Sequence, residues 1–127
     1  MTAEWTLTVD MLGRPTTTNA AHQWHHYKVS ADRKRWRDAG SALARLAGVP
    51  QLAACELEVT ARYPDRRSLP DPDGVAPAVK GVIDGIVDAG VIVDDSGLFV
   101  ASITYHAPVV APGLPAALLV TIREATA

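Results

Sequence analysis

Residues 53–63 limit what this chain can fold into more than any other stretch. Ala53, Cys55, Leu57, Val59 and Ala61 alternate with Glu56, Glu58, Thr60 and Arg62. Successive side chains of a strand point to opposite faces, so this pattern predicts a strand with one face buried and one wet. A half-buried strand needs a layer to cover its apolar face. The two helical patterns that flank it, at 30–47 and 75–89, are the natural cover.

In the first, Ser30 is a suitable helix cap. Trp36, Ala39, Leu43, Leu46 and Ala47 recur at helical spacing until Gly48-Val49-Pro50 stops the run. Arg33, Arg37 and Arg45 fall away from that stripe. In the second, Pro77 sits in the first turn, where its missing N–H costs nothing. Val79, Val82, Ile83, Ile86 and Val87 form the apolar stripe, and Lys80, Asp84 and Asp88 share another side. Gly90 ends it. Trp5 to Val9 reads as a first strand. Residues 10–29 have no period and read as a long loop. Leu98 to His106 and Ala116 to Arg123 read as the last two strands, joined through the Pro/Gly-rich turn 108–115 into a hairpin. The order is β-α-β-α-β-β. It predicts one α+β domain over residues 1–127, a small mixed sheet with two helices packed on it.

The chain has 127 residues, 48% of them hydrophobic, enough for one core. Much of that apolar mass is Ala and Val, so each side chain buries little area and dimerisation would help. A lone cysteine, Cys55, cannot form an internal disulfide. It reads as a small buried hydrophobe in a chain expected in a reducing cytoplasm. Glu4 and Asp10 interrupt the start, against a secretory signal, and no apolar run is long enough to cross a membrane.

Net charge is −2, which argues against nucleic-acid binding by bulk charge. The charge is unevenly placed, however. Lys28, Arg33, Lys34, Arg35 and Arg37 crowd one segment with only Asp32 opposing them. Asp71, Asp73, Asp84, Asp88, Asp94 and Asp95 crowd another. A basic arm can hold a phosphate backbone, and a divalent cation reverses the sign of an acidic pocket.

Asp71 and Asp73 lie two apart, each directly after a proline, Pro70 and Pro72. In extended backbone they present two carboxylates to one side, and the prolines restrict the segment. Asp95 follows the helix and supplies a third. Magnesium takes hard oxygen ligands and keeps several waters, so two or three carboxylates plus a substrate phosphate suffice; manganese is an alternative. Lys80, one turn into the helix, is suited to a phosphate oxygen or a leaving oxygen. A calcium loop does not fit, because Gly74 comes too early and Val82 stands where a bidentate Glu belongs. The bland alternative is a set of solvated acids, with Asp73 capping the second helix.

Arg66-Arg67, Asp71-Pro72-Asp73, Lys80, Asp84-Gly85, Asp88-Ala89-Gly90 and Asp94-Asp95 resemble the RusA family of Holliday junction resolvases. In that family a D-x-D-N segment precedes a lysine-bearing helix that leads to a D-D pair. The run from Lys80 to Asp95 matches at the family's spacing. Asn19, Val29-Ser30 and Trp36-Arg37-Asp38 match more loosely. Gly74 stands where the family usually has Asn, and a few extra residues separate Asp73 from Lys80.

The resemblance implies a homodimeric, magnesium-dependent endodeoxyribonuclease, bacterial or phage-encoded, that resolves four-way DNA junctions by paired symmetric nicks. Such an enzyme serves DNA recombination, repair or phage DNA processing. It maps the metal-site acids onto Asp71, Asp73 and Asp95, and the essential lysine onto Lys80. The expected DNA contacts are Arg14, Asn19, His25, Lys28, Arg33, Lys34, Arg35, Arg37, Arg66 and Arg67. His22, Trp24 and His26 lie in the same loop, which reads as a DNA contact, an ordinary loop or a structural metal cluster. A non-catalytic binder of branched DNA is the alternative for the chain. A hydrolase for a small phosphate ester is a weaker one, since a small substrate needs no basic arm.

Overall fold

The computed structural model describes residues 3–125. Five strands form one mixed sheet: β1 (Glu4–Val9), β2 (Cys55–Tyr63), β3 (Val100–Tyr105), β4 (Val109–Val110) and β5 (Ala117–Glu124). The helices are α1 (Thr18–Ala21), α2 (His26–Leu46) and α3 (Ala76–Asp88), the last entered through a 3₁₀ turn, Pro72–Val75. The strand order is β1-β5-β2-β3, with β4 also on β2. The expected α+β class, with its mixed sheet, is what the chain adopts.

The alternation in β2 behaves as its sequence requires: Cys55, Leu57, Val59, Ala61 and Tyr63 are buried, and the residues between them are half-buried. Ala53 lies outside the strand and is exposed. The Cys55 thiol is fully buried, and loss of water pushes its pKa up to about 11.

The expected hairpin between the last two strands does not form. β3 lies parallel to β2 on the outside of the sheet, while β5 runs antiparallel between β1 and β2. Burial gives the reason. β5 buries Ala117, Leu118, Val120 and Ile122, which suits a central strand. β3 exposes Ala101, Ser102, Ile103 and Thr104, which suits an edge. The segment β2-α3-β3 is thus a parallel crossover, and a parallel pair needs such a connection.

Residues 10–29 are not one loop. α1 forms with Thr17 as its cap, the hydroxyl accepting from Ala20 N–H at 3.2 Å. α2 starts five residues earlier than Ser30 suggests, because the His25 Nδ1 accepts from the Tyr27 N–H and caps the helix. The buried line of α2 is also shifted. It runs through Trp36, Gly40 and Ala44, whereas Leu46 is 83% exposed beyond the edge of the packing.

Small residues explain the shift. α2 and α3 cross backbone to backbone. A Cβ on Gly81 would lie 2.6 Å from the Trp36 Cβ, and one on Gly40 would lie 2.8 Å from the Val82 carbonyl oxygen. On Gly85 it would overlap the Arg37 carbonyl oxygen and lie 2.6 Å from the Ser41 amide nitrogen. The expected α3 stripe is present, with Val79, Val82, Ile83 and Ile86 buried. Gly90 follows the helix at φ +81°, the left-handed conformation expected of it.

Candidate metal and nucleic-acid site

Asp71 and Asp73 stand at the entry to α3. Asp71 is extended and caps the 3₁₀ turn with backbone only; its carbonyl accepts from the Gly74 N–H at 2.9 Å. Asp73 does not cap α3, whose cap residue is Val75. Both carboxylates line an open cleft of about 460 Å³ with Thr17, Thr18, Asn19, Ser68 and Pro70. Neither has an ion-pair partner among the described residues. One residue the sequence did not suggest senses the charge of Asp73. Tyr105, at the end of β3, has its phenol pKa raised first by burial and then by the negative charge of Asp73. No local pattern links positions 73 and 105; the β2-α3-β3 crossover does.

Asp94 and Asp95 follow α3. A 13-residue helix is about 20 Å long, so its two flanks would be far apart if the chain continued straight on. It does not: Asp95 meets Lys80 in the helix's second turn. The Lys80 ammonium lies between Asp95 and Asp84, 3.3 Å from the latter. Asp94 instead accepts from the Ser96 N–H at 2.8 Å, which holds its carboxyl below the usual range. Asp84, Asp94 and Asp95 line a second, smaller cleft with Arg37 and Asp88.

The predicted ligands therefore fall into two groups. Among the described residues, no three His, Cys, Asp or Glu side chains form a group able to hold a metal. The donor chemistry nevertheless suits magnesium or manganese. Asp71 and Asp73 are hard oxygen donors without a competing cation, and Asp95 already holds one, the Lys80 ammonium. Recruiting Asp95 to an ion shared with Asp71 and Asp73 requires Lys80 to let go.

The basic residues divide the same way. Arg37 grips Asp88 through two nitrogens at 2.5 and 2.8 Å, and Arg45 donates to the Asp88 carbonyl at 2.8 Å. Arg67 holds Asp65 at 2.8 and 3.2 Å, and Lys34 holds Asp38 at 2.8 Å. Arg35 is 4.0 Å from Asp32. Arg14 donates to the backbone of 67–68. Arg33 and Arg66 have no ion-pair partner among the described residues, and Lys28 lies 4.3 Å over the Trp24 ring. His25, His26 and Tyr27 are exposed, with ring centroids 4.2–4.9 Å apart, and form no metal-binding group. Asn19 lines the Asp71–Asp73 cleft.

On the open face of the sheet, Arg123 holds Glu58 at 2.7 Å and Glu4 at 3.1 Å, and His106 meets Glu58 at 3.0 Å. Glu58 is thereby engaged in the sheet.

The Arg37–Asp88 pair makes stability depend on pH. The guanidinium fork holds the Asp88 carboxyl below its ordinary pKa of 3.8. A carboxyl with a depressed folded pKa stabilises the fold above its unfolded value; that contribution is lost as pH falls through the folded one. Urea unfolding of the parent and of Asp88→Asn should differ near pH 6 and converge near pH 2. A difference unchanged across that range would show that the pair contributes nothing through its charge.

No family model and no curated protein matches the chain. No helix among the described residues is long and apolar enough to cross a membrane.

Proposed function

We propose that this chain is a magnesium-dependent endodeoxyribonuclease of the RusA type, acting as a homodimer on four-way DNA junctions in the cytoplasm of a bacterial host. The observation that carries the reading is the Asp71–Asp73 pair: two carboxylates without an ion-pair partner among the described residues, in an open cleft that Asn19 also lines, with Arg33 and Arg66, likewise without one, elsewhere on the surface. Like charges brought together without a protein cation favour a divalent ion, and a phosphodiester is the substrate such a site can use.

Magnesium, held by Asp71 and Asp73 with Asp95 as a third ligand, would supply positive charge to the scissile phosphate. Water attacks phosphorus in line, the bond to the 3′ oxygen breaks, and the products are a 3′ hydroxyl and a 5′ phosphate. Lys80 exchanges Asp95 for a non-bridging or leaving oxygen and stabilises the charge that grows there. The cleft's open mouth suits a polymer that passes across it. Two nicks related by symmetry need two copies related by a twofold axis.

A junction-binding protein without cleavage is the second reading. Its support is the separation of Asp95 from the Asp71–Asp73 pair, together with Gly74 in the turn between Asp73 and α3.

Binding to a four-way junction and to a linear duplex of the same sequence, in EDTA, tests the substrate. The junction should bind more tightly. Each phosphate contact contributes about 0.9 to the slope of log K against log salt, so Arg33→Ala with Arg66→Ala should lower that slope by about two. An unchanged slope would remove these arginines from the interface. Equal binding of junction and duplex would remove the junction.

A further inference from the structure

We propose that Arg14 is a positioning residue for the Asp71–Asp73 pair and sets the geometry of that site through the backbone of residues 67–70. The inference rests on the metal-dependent reading above and assigns a residue that acts on the site without touching its ligand.

The guanidinium of Arg14 stacks on the Tyr63 ring, 4.4 Å from its centroid. Tyr63 is the last residue of β2 and is 1% exposed, so the ring is a fixed platform in the sheet. From there Arg14 Nη2 donates to the Ser68 carbonyl at 2.9 Å and the Arg67 carbonyl at 3.4 Å. Ser68 has φ +56°, the only non-glycine in the left-handed region among the described residues. A serine does not adopt that conformation readily, and it persists where its surroundings impose it. One cation accepted by two successive carbonyls is such an imposition.

Downstream, Leu69-Pro70-Asp71-Pro72 leads directly into the site. Pro70 and Pro72 fix their own φ angles, so a rotation at Ser68 is passed on to Asp71 with little absorbed between. Ser68, Pro70, Asp71 and Asp73 line the same cleft.

Upstream, Arg14 is anchored too. Pro15 is buried, and the Thr16 hydroxyl accepts from Trp36 Nε1 at 3.0 Å and donates to Asp32 Oδ2 at 2.6 Å. The strap 14–16 thus ties the core of α2 to the loop that carries Asp71. A guanidinium committed to a ring and two carbonyls is poorly placed to hold a phosphate, the role its position in a polar loop suggests.

Three measurements on the full chain decide the matter: amide hydrogen exchange of residues 66–74, Mn2+ affinity by electron paramagnetic resonance without DNA, and four-way-junction affinity against salt in EDTA. The variants are Arg14→Ala, Arg14→Lys, and Arg14→Ala with Ser68→Gly. In Arg14→Ala, exchange at 67–74 should rise and Mn2+ affinity should fall about tenfold, which is 1.4 kcal/mol. Junction affinity and its salt slope should stay as in the parent. Arg14→Lys keeps the charge but loses the planar fork, and should behave like Ala. Ser68→Gly should recover part of the Mn2+ affinity, because glycine adopts positive φ without a brace.

A parental Mn2+ affinity in Arg14→Ala, with the salt slope lowered by about one, would overturn the inference and make Arg14 a phosphate contact. If the parent itself binds no Mn2+ that Asp71→Asn removes, the metal-dependent reading fails and this inference with it.

Discussion

Asp71→Asn should abolish junction cleavage, by a factor of at least about 10³, and leave the fold and junction binding intact. The substitution keeps shape and removes one charge. Asp71 has no ion-pair partner among the described residues and makes no side-chain cap, so no contact among those residues depends on its carboxylate. The thermal midpoint should therefore match the parent. Mn2+ affinity should fall together with cleavage, because one of two unneutralised donors is gone. Junction binding in EDTA should hold or tighten, since a negative charge near phosphate has been removed. Asp95→Asn should likewise stop cleavage, for a different reason. It releases Lys80 from one of its two acids while removing the proposed third ligand. Cleavage at the parental rate in Asp71→Asn would remove Asp71 from the site.

Gly85→Ala should be the most damaging methyl group that can be added to this chain. The Cβ would enter the space of the Arg37 carbonyl and the Ser41 amide, both backbone groups of α2 that cannot rotate away. The helices must separate. That opens gaps around Val82, Ile86 and Trp36, which are buried at this crossing. The expected cost is about 3 kcal/mol, a drop in thermal midpoint of about 10 °C for a domain of this size. Gly97→Ala is the control. A Cβ there meets nothing within 4 Å and its backbone needs no positive φ, so its effect should stay within about 0.5 kcal/mol. Equal midpoints for the two variants would mean that the close crossing does not limit stability.

Gly85 also shows what a motif hides. In the sequence it is one letter of a Lys-x-x-x-Asp-Gly run that reads as catalytic. In the fold, Asp84 faces Lys80 while Gly85 lets two helices touch. One residue of the pair meets a lysine and its neighbour serves the packing.

What could be read in advance was local. The alternation of β2, the apolar stripe of α3 and the left-handed Gly90 each depend on a few neighbouring residues, and each formed as expected. The nearness of Asp71 and Asp73 was legible for the same reason, since two acids alternating with two prolines sit on one short segment. Sheet order was not. Nothing within Val100–Tyr105 or Ala117–Glu124 says which partner each strand takes, and adjacency in the chain wrongly favours a hairpin. Central position went to the strand with more apolar surface to bury. The α2 start was missed because a histidine nitrogen, rather than the Ser30 hydroxyl, caps the helix.

Electrostatic partners were equally hidden. Arg37 and Arg14 look like free cations in a basic segment and a polar loop. Their partners lie 51 and 54 residues away, at Asp88 and at the Ser68 carbonyl. Only the close approach of α2 and α3, and the seating of Arg14 on the Tyr63 ring, bring those groups within reach.

The most direct test of the account is cleavage of an end-labelled four-way junction by the purified chain, with magnesium and with EDTA, beside Asp71→Asn. Paired nicks are expected at symmetric positions in strands of like polarity, with 5′ phosphate ends, present only with the metal and lost in the variant. Tight junction binding with no nick in magnesium or manganese would contradict it and make the chain a junction-binding protein whose acidic clefts do no chemistry.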